Sequence, residues 1–265
     1  MSGNTFNLEL HCHTVFSQDG LMTFESLARV AEKVGLDGIA ITDHDTIEGA
    51  REFQRWLKAN NLKLQTIIGE EKTLADGTHF IGLFLQEPIS SATLTDAIKE
   101  IESQGGLCLA PHPFRKKDGV LRNGPGCLPL LRQHHVAFEL FNGKSSAADN
   151  TKARELLEAG LSPFAGSDAH YESDLGESLN VIPWHGDLRT SVEHMLRNKG
   201  PCRLFGRAQP REEPERAYAP LYYRMKPFVR LPKPLVPLAR QLYRAYRNRT
   251  VGVGRKPLVE IYART

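Results

Sequence analysis

Residues 38–45 read Gly-Ile-Ala-Ile-Thr-Asp-His-Asp, a short apolar run that leads directly into charged side chains. The run is continuously apolar rather than alternating, which is typical of a strand covered on both faces, as in a parallel sheet. Outward from it, seven further runs have a strand-like composition. The predicted strands are Phe6–His11, Gly38–Thr42, Lys63–Gly69, His79–Leu85, Gly106–Ala110, Ala137–Leu140, Ser162–Ala165 and, as the weakest, Ser178–Ile182.

Helix-like stretches alternate with these strands. In the first of them, apolar residues recur at the spacing of one buried helix face, and Gly35 follows as a C-cap. Repeated β-α units indicate an α/β barrel or a doubly wound sheet, and seven or eight units favour the barrel. The predicted helices are Thr23–Val34, Thr46–Ala59, Thr93–Ser103, Pro129–His134, Lys152–Ala159 and Ser191–Asn198.

The composition excludes several classes of protein. With 265 residues, 40% hydrophobic and 25% charged, the chain is not a collagen, a disordered chain or a disulfide miniprotein. No apolar run approaches the roughly 20 residues of a membrane-spanning helix, so no transmembrane segment is expected. The four cysteines are dispersed without a C-x-x-C pair, and residues 1–13 lack a secretory pattern. We therefore expect a cytoplasmic protein.

Charge is divided unevenly along the chain. Residues 1–200 hold 19 Lys and Arg against 27 Asp and Glu, whereas residues 201–265 hold 15 against 4, with nine of the sixteen prolines. We therefore expect a folded domain over 1–200 and a basic, Pro-rich C-terminal extension over 201–265. The basic and aromatic residues between Tyr222 and Arg249 fit either docking on the domain or contact with a polyanion.

Side chains of metal-ligand type gather at the ends of the predicted strands. In a parallel barrel these ends meet on one face, so residues distant in sequence converge there. Imidazole and carboxylate together suit zinc, manganese or iron. His11 and His13 lie two residues apart and can face the same side, and Glu70 is the expected carboxylate bridge between ions. The ligand-type residues at or beside these ends include His11, His13, Asp19, His44, Glu70, His79, His112, Asp168 and His170.

Two further residues near the predicted ligands are candidates for catalysis. Asp45 adjoins His44 and is a candidate partner of the ligands or proton carrier. Arg115 follows Pro-His-Pro-Phe and is a candidate clamp for a substrate phosphate, although a solvated basic loop explains it equally well. Cys12 lies between two predicted ligands and is expected to point the other way, into the core.

Taken in order, H-x-H, D-G, I-T-D-H-D, G-E-E, P-H-P and G-S-D-A-H over about residues 6–185 resemble the PHP (polymerase and histidinol phosphatase) superfamily, and most closely its stand-alone phosphoesterases. The resemblance implies a distorted seven-stranded β/α (TIM-like) barrel with two or three divalent ions. It implies three ligand sets, which are His11, His13, Glu70 and Asp168 for the first ion, Asp19, His44 and His170 for the second, and Glu70, His79 and His112 for the third.

The expected activity is hydrolysis of a phosphate ester, from a small metabolite or a nucleotide, by metal-activated hydroxide. One alternative is a nuclease that trims short oligonucleotides, with the basic extension guiding the strand. Another is a non-catalytic, metal-stabilised module that recruits a partner through that extension. Hydrolysis of an amide or another C–N bond also stays open.

Overall fold

The computed structural model describes residues 5–197, 200–208 and 257–265, which form a ten-stranded sheet and seven helices. The strands are β1 Thr5–Glu9, β2 Gly38–Ile41, β3 Gln65–Thr73, β4 His79–Leu83, β5 Leu107–Ala110, β6 Ala137–Asn142, β7 Pro163–Gly166, β8 Ser178–Pro183, β9 Cys202–Arg207 and β10 Leu258–Arg264. The helices are α1 Phe24–Val34, α2 Glu48–Ala59, α3 Leu94–Ser103, α4 Leu128–Gln133, α5 Ala147–Ala153, α6 Glu155–Glu158 and α7 Leu188–Leu196.

The sheet has the strand order β10-β9-β8-β1-β2-β3-β4-β5-β6-β7. Strands β1–β2–β3 and β5–β6–β7 run parallel, whereas β4, β8, β9 and β10 pair antiparallel with their neighbours. The predicted mixed α/β fold is therefore confirmed. The sheet has more than the seven strands that the resemblance implies, because β8 to β10 extend it beyond β1, and only β8 among these three was expected from the sequence.

Strand β4 departs from the repeated β-α pattern because its connection to β3 is short. Residues 74–78 form a tight turn in which Gly77 has φ 82° and its amide donates to the Leu74 carbonyl. So short a connection permits only antiparallel pairing. The start of β4 therefore lies beside the end of β3, and His79 stands opposite Thr73 in the ladder.

The sheet curls until β7 approaches β8, and a side chain joins the two strands. Asn180 of β8 accepts a hydrogen bond from the Ala165 amide of β7 at 2.9 Å and donates to the Ala165 carbonyl at 2.8 Å. Asn180 Nδ2 also donates to the Leu8 carbonyl of β1. The Asn180 side-chain amide thus makes hydrogen bonds between β7 and β8, which are not neighbours in the backbone hydrogen-bonding order of the sheet.

The apolar strands are buried on both faces, as the sequence predicts. In β2, Ala40 belongs to the large core cluster, whereas Ile39 and Ile41 pack with α1 and α2 residues such as Leu27 and Phe53. Helix α1 is capped at its N-terminus by Thr23, whose hydroxyl accepts a hydrogen bond from the Ser26 amide, and at its C-terminus by Gly35, which has φ 75°. Cys12 is fully buried in the second cluster, which confirms its expected direction.

Both ends of the predicted C-terminal extension contribute to the sheet. Strand β9 pairs with β8, and β10 pairs with β9. The sheet therefore continues past residue 200, where the sequence placed a boundary. The Tyr222–Arg249 stretch lies outside the described residues. Within the described part of the chain, no helix combines the length and apolar character needed to cross a membrane.

Candidate metal centre

Eight of the nine predicted ligands converge at one edge of the sheet. Successive rings lie close together, for example His13 and His170 with centroids 4.2 Å apart and His13 and His44 at 4.5 Å. Asp19 and His170 extend the cluster toward solvent, with Asp19 Oδ2 3.4 Å from His170 Nε2. The residues brought together are His11, His13, Asp19, His44, His79, His112, Asp168 and His170.

Glu71 lies at the middle of this cluster. Its carboxylate is 1% exposed, and both oxygens face imidazole nitrogens. Oε2 lies 3.3 Å from Nε2 of His11 and of His13 and 3.2 Å from Nδ1 of His44. Oε1 lies 3.0 Å from Nδ1 of His79 and 2.9 Å from Nε2 of His112. One carboxylate therefore contacts five histidines.

Glu70, the predicted bridge, lies elsewhere. Its Oε2 accepts a hydrogen bond from the Ile89 amide at 2.8 Å, and it joins none of the close groups of metal-ligating atoms found among the described residues. Strand β3 continues to Thr73, and side chains alternate between its faces, so Glu71 shares a face with Ile67 of the large core cluster. Glu71, and not the predicted Glu70, therefore lies among the imidazoles.

Asp118, which the sequence analysis did not select, closes the cluster beside His112. Asp118 Oδ1 lies 3.3 Å from His112 Nδ1, and Oδ2 lies 3.9 Å from His79 Nδ1. Arg115 Nε donates to Asp118 at 2.6 Å, and Nη1 donates to Asp168 at 2.9 Å. Arg115 Nη2 is also 2.9 Å from His112 Nε2. The Arg115 guanidinium therefore adjoins the cluster rather than lying in a solvated loop.

Asp45 points away from the cluster. Its Oδ1 accepts from the Thr73 amide at 3.0 Å and pairs with Lys72 Nζ at 3.1 Å. Its own amide donates to the Glu71 carbonyl at 3.1 Å. These contacts fasten the loop after β2 to the end of β3. Asp45 therefore contacts β3 rather than the inward imidazole nitrogens, and its contacts do not support the expected role of proton carrier.

Neighbouring groups fix which nitrogen of each key imidazole faces inward. His11 Nδ1 lies 3.0 Å from Glu139 Oε1, so Nδ1 carries the hydrogen and Nε2 presents a lone pair to the cluster. Ser17 Oγ donates to Asp43 and contacts His13 Nδ1 at 3.1 Å, which imposes the same tautomer on His13.

The inward atoms fit divalent cations. The Nε2 atoms of His11 and His13 and Oε2 of Glu71 are buried without a hydrogen-bond partner. Lone pairs that face one another at 3.3 Å repel unless a proton or a metal ion lies between them. The donor set of imidazoles and carboxylates suits transition metals.

The pKa values show how strongly the buried charges interact. Burial by itself would lower the pKa of His13, but the Asp168 and Glu71 carboxylates outweigh burial and raise it to about 9. The pKa of Glu71 falls well below its ordinary value, because His11 and His44 outweigh the effect of burial. At His44, burial dominates and lowers the pKa to about 4. The carboxylates therefore favour positive charge at His13, whereas burial keeps His44 neutral near pH 7.

Two of the ligand-type residues have backbone conformations that are uncommon for residues other than glycine. His112 has φ 29° and Asp168 has φ 53°, both in the left-handed region. Such conformations persist where surrounding contacts impose them, and they are common at functional sites. Here the Glu139 carboxylate accepts from the His112 amide at 2.6 Å, and Asn142 Nδ2 lies 3.3 Å from Asp168 Oδ2.

Comparison with known proteins agrees with this geometry. The PHP domain matches residues 9–159. A protein of Edwardsiella ictaluri described as a probable phosphatase is 27% identical over 240 residues, covering 79% of this chain and 96% of its own.

Two solved structures resemble the fold. A Bifidobacterium adolescentis protein assigned as a metal-dependent phosphoesterase has a TM-score of 0.50 and 18% identity, over 62% of this chain and 87% of its own. The lesion-specific endonuclease PfuEndoQ of Pyrococcus furiosus has a TM-score of 0.57 and 16% identity, over 76% of this chain and 58% of its own. The family match covers more than half of the sequence and confirms the predicted resemblance, so the chain belongs to the PHP domain family.

Proposed function

We propose that this chain is a metal-dependent phosphoesterase that hydrolyses the phosphate ester of a small metabolite or nucleotide. The observation that carries the proposal is the Glu71 carboxylate, which is buried among five imidazoles. Its Oε2 and the Nε2 atoms of His11 and His13 are buried without a hydrogen-bond partner. Membership of the PHP family and the relative described as a probable phosphatase support the hydrolase class.

We assign the ions to three adjacent sets of donors, with Glu71 in the place predicted for Glu70. Manganese, zinc or iron fits these nitrogen and oxygen donors, and two or three ions would be held. The proposed sets are His11, His13, Glu71 and Asp168 for the first ion, Asp19, His44 and His170 for the second, and Glu71, His79 and His112 for the third.

When bound, such ions lower the pKa of water and neutralise the charge of a phosphoryl group. The chain supplies orientation. Glu139 and Ser17 hold the Nε2 atoms of His11 and His13 inward. We propose that Arg115 binds the substrate phosphoryl group, because a guanidinium donates two parallel hydrogen bonds to phosphate. Its contacts with Asp118 and Asp168 place it at the edge of the cluster.

A nuclease acting on short oligonucleotides is the second candidate. The basic charge of residues 201–265 favours it, since a groove or arm that tracks nucleic acid needs such charge. The likeness to PfuEndoQ adds a shared fold. A non-catalytic module recruiting a partner through this extension is disfavoured, because the ligand cluster is well populated and its imidazoles are held in orientation.

We further infer that the curled sheet is a distorted, TIM-like barrel with the cluster at its mouth, and that the protein works in the cytoplasm. All four cysteines are free, as expected in a reducing compartment.

The test uses purified full-length chain loaded with Mn²⁺. Release of inorganic phosphate from mononucleotides or sugar phosphates supports the phosphoesterase. Shortening of an end-labelled oligonucleotide without phosphate release from monomers would instead favour the nuclease. Full metal occupancy without turnover of any ester would favour the non-catalytic module. An Arg115→Ala variant should raise KM for the ester more than it lowers kcat.

A further inference from the structure

An exposed apolar pair lies in the loop that joins two proposed ligands, His13 and Asp19. Val15 is 38% exposed and Phe16 is 42% exposed. Only two other large apolar side chains in the described part of the chain are as exposed, Leu62 and Val259, and neither adjoins a ligand. Isolated exposed apolar residues are ordinary, but a consecutive pair beside a candidate active site is a candidate for binding.

The loop is held tightly, so Phe16 occupies a fixed position. The Asp43 carboxylate accepts from the Thr14 amide at 2.6 Å and from the Ser17 hydroxyl at 2.9 Å. The backbone of Gly20 packs directly against that of Thr14. Only glycine fits there, because a Cβ would lie 1.9 Å from the Thr14 carbonyl oxygen. The exposure of Phe16 is therefore a property of a rigid surface.

Phe16 is the outermost member of an aromatic stack. Its ring lies nearly parallel to Phe24, with centroids 5.8 Å apart and an interplanar angle of 7°. Phe24 in turn contacts Phe53 at 5.4 Å and Trp56 at 6.3 Å. Phe24 covers one face of the Phe16 ring, so the exposed surface of Phe16 belongs to the rest of its side chain. An offset parallel stack of this kind can accept one further planar ring.

Phe16 immediately precedes a residue that contacts the ligand cluster. Ser17, the next residue, places its Oγ 3.1 Å from His13 Nδ1 and 2.9 Å from the His44 amide. Neighbouring Cα atoms are about 3.8 Å apart. The Phe16 backbone is therefore one residue away from a side chain that contacts both His13 and His44, at the edge of the cluster.

We propose that Phe16, flanked by Val15, forms a stacking subsite for the aromatic base of the substrate, which makes that substrate a nucleotide rather than an aliphatic or sugar phosphate. This inference rests on the proposed phosphoesterase function and refines its substrate class. A protein partner fits less well, because a stable protein interface buries about 800 Å² on each side, far more than two side chains offer.

The test compares two esters with the same phosphate, a nucleoside 5′-monophosphate and glycerol phosphate, on the metal-loaded full chain. Stacking of a base typically changes affinity by about tenfold or more, so Phe16→Ala should lower the ratio of the two kcat/KM values by about tenfold, through KM. Phe16→Trp should restore that ratio, and Phe16→Leu should not. Leu62→Ala is the matched control, because it removes an equally exposed apolar side chain elsewhere. An unchanged ratio in Phe16→Ala would overturn the subsite.

A binding experiment tests the subsite independently of the proposed phosphoesterase function. Calorimetric titration with adenosine 5′-monophosphate and with inorganic phosphate should show a preference for the nucleotide that Phe16→Ala removes. If the wild-type chain hydrolyses neither ester but shows this preference, the phosphoesterase proposal fails and the subsite stands. If it hydrolyses both esters and Phe16→Ala leaves the preference intact, the subsite fails alone.

Discussion

Substituting each of two adjacent glutamates gives opposite expected results. Glu71→Gln removes the carboxylate that faces five imidazoles, whereas Glu70→Gln alters a group bonded to the Ile89 amide. Both changes keep the side-chain shape and remove one negative charge. We expect Glu71→Gln to lose metal and turnover, and Glu70→Gln to keep both.

The size of each effect follows from the buried charges. Removing one partner from a buried ionic group costs about 3–5 kcal/mol, which corresponds to roughly 10²- to 10⁴-fold in a binding constant. Metal affinity should fall by that factor in Glu71→Gln.

Glu70 is fully buried, and burial raises its pKa to about 7. A carboxyl whose pKa is raised on folding destabilises the folded state as pH rises from about 4.5 to 7. The shift amounts to about 3 kcal/mol above pH 7. Glu70→Gln should therefore be neutral or stabilising at pH 8, since its amide oxygen can still accept from Ile89.

Metal content per chain, measured by elemental analysis after dialysis, gives the first readout, and phosphate release at saturating ester gives the second. Thermal unfolding at pH 5 and pH 8 gives the third and shows whether each variant is folded. A Glu71→Gln variant with full metal content and wild-type turnover would refute the proposed role of Glu71 as a metal ligand. Loss of metal in Glu70→Gln alone would restore the assignment made from the sequence.

Three further outcomes are expected. Ser17→Ala, which removes the contact that orients His13, should weaken metal binding about 10- to 100-fold in a Mn²⁺ titration, with unfolding followed as control. Glu139→Ala should weaken metal binding similarly through His11, and unaltered affinity would contradict the tautomer argument. Glu100 accepts four hydrogen bonds from two loop serines, which outweigh its partial burial and lower its pKa to about 2. Its contribution to stability is present above about pH 4.5 and is lost as pH falls toward 2, so the wild-type and Glu100→Gln unfolding curves should converge in acid.

The ligand cluster was largely predictable because strand ends are visible in the sequence. Apolar runs that stop at His11, His44 and Asp168 mark the edge where the side chains meet. The choice between Glu70 and Glu71 was not predictable in this way, since it depends on which face of β3 each occupies. A strand ending at Gly69 makes Glu70 the first loop residue, whereas the observed pairing of Glu71 with Ile81 keeps both inside the ladder.

The strand count depended on pairings that leave little trace in the sequence. Residues 202–207 alternate buried and partly exposed positions and lie in a segment dominated by Arg and Pro. Strand β10 is followed by a single residue and is reached only after a long basic stretch. Its pairing with β9 is a contact between residues more than fifty positions apart, which local patterns do not encode.

The residues that orient the ligands are the part of the centre that is hardest to predict from the sequence. They are also the part on which the binding of a cation depends most directly. A histidine presents a lone pair to a cation only if its other nitrogen is protonated and held. For His11 that partner is Glu139, 128 residues away, whose carboxylate also accepts from the His112 amide and from Asn142. One buried carboxylate on β6 thus connects β1 and the end of β5. Glu71 lies on β3 between the inward nitrogens, so the residue that orients His11 and the carboxylate that faces it lie on different strands of the same sheet. The fold therefore sets which nitrogen of His11 and of His13 faces the cluster before any ligand binds.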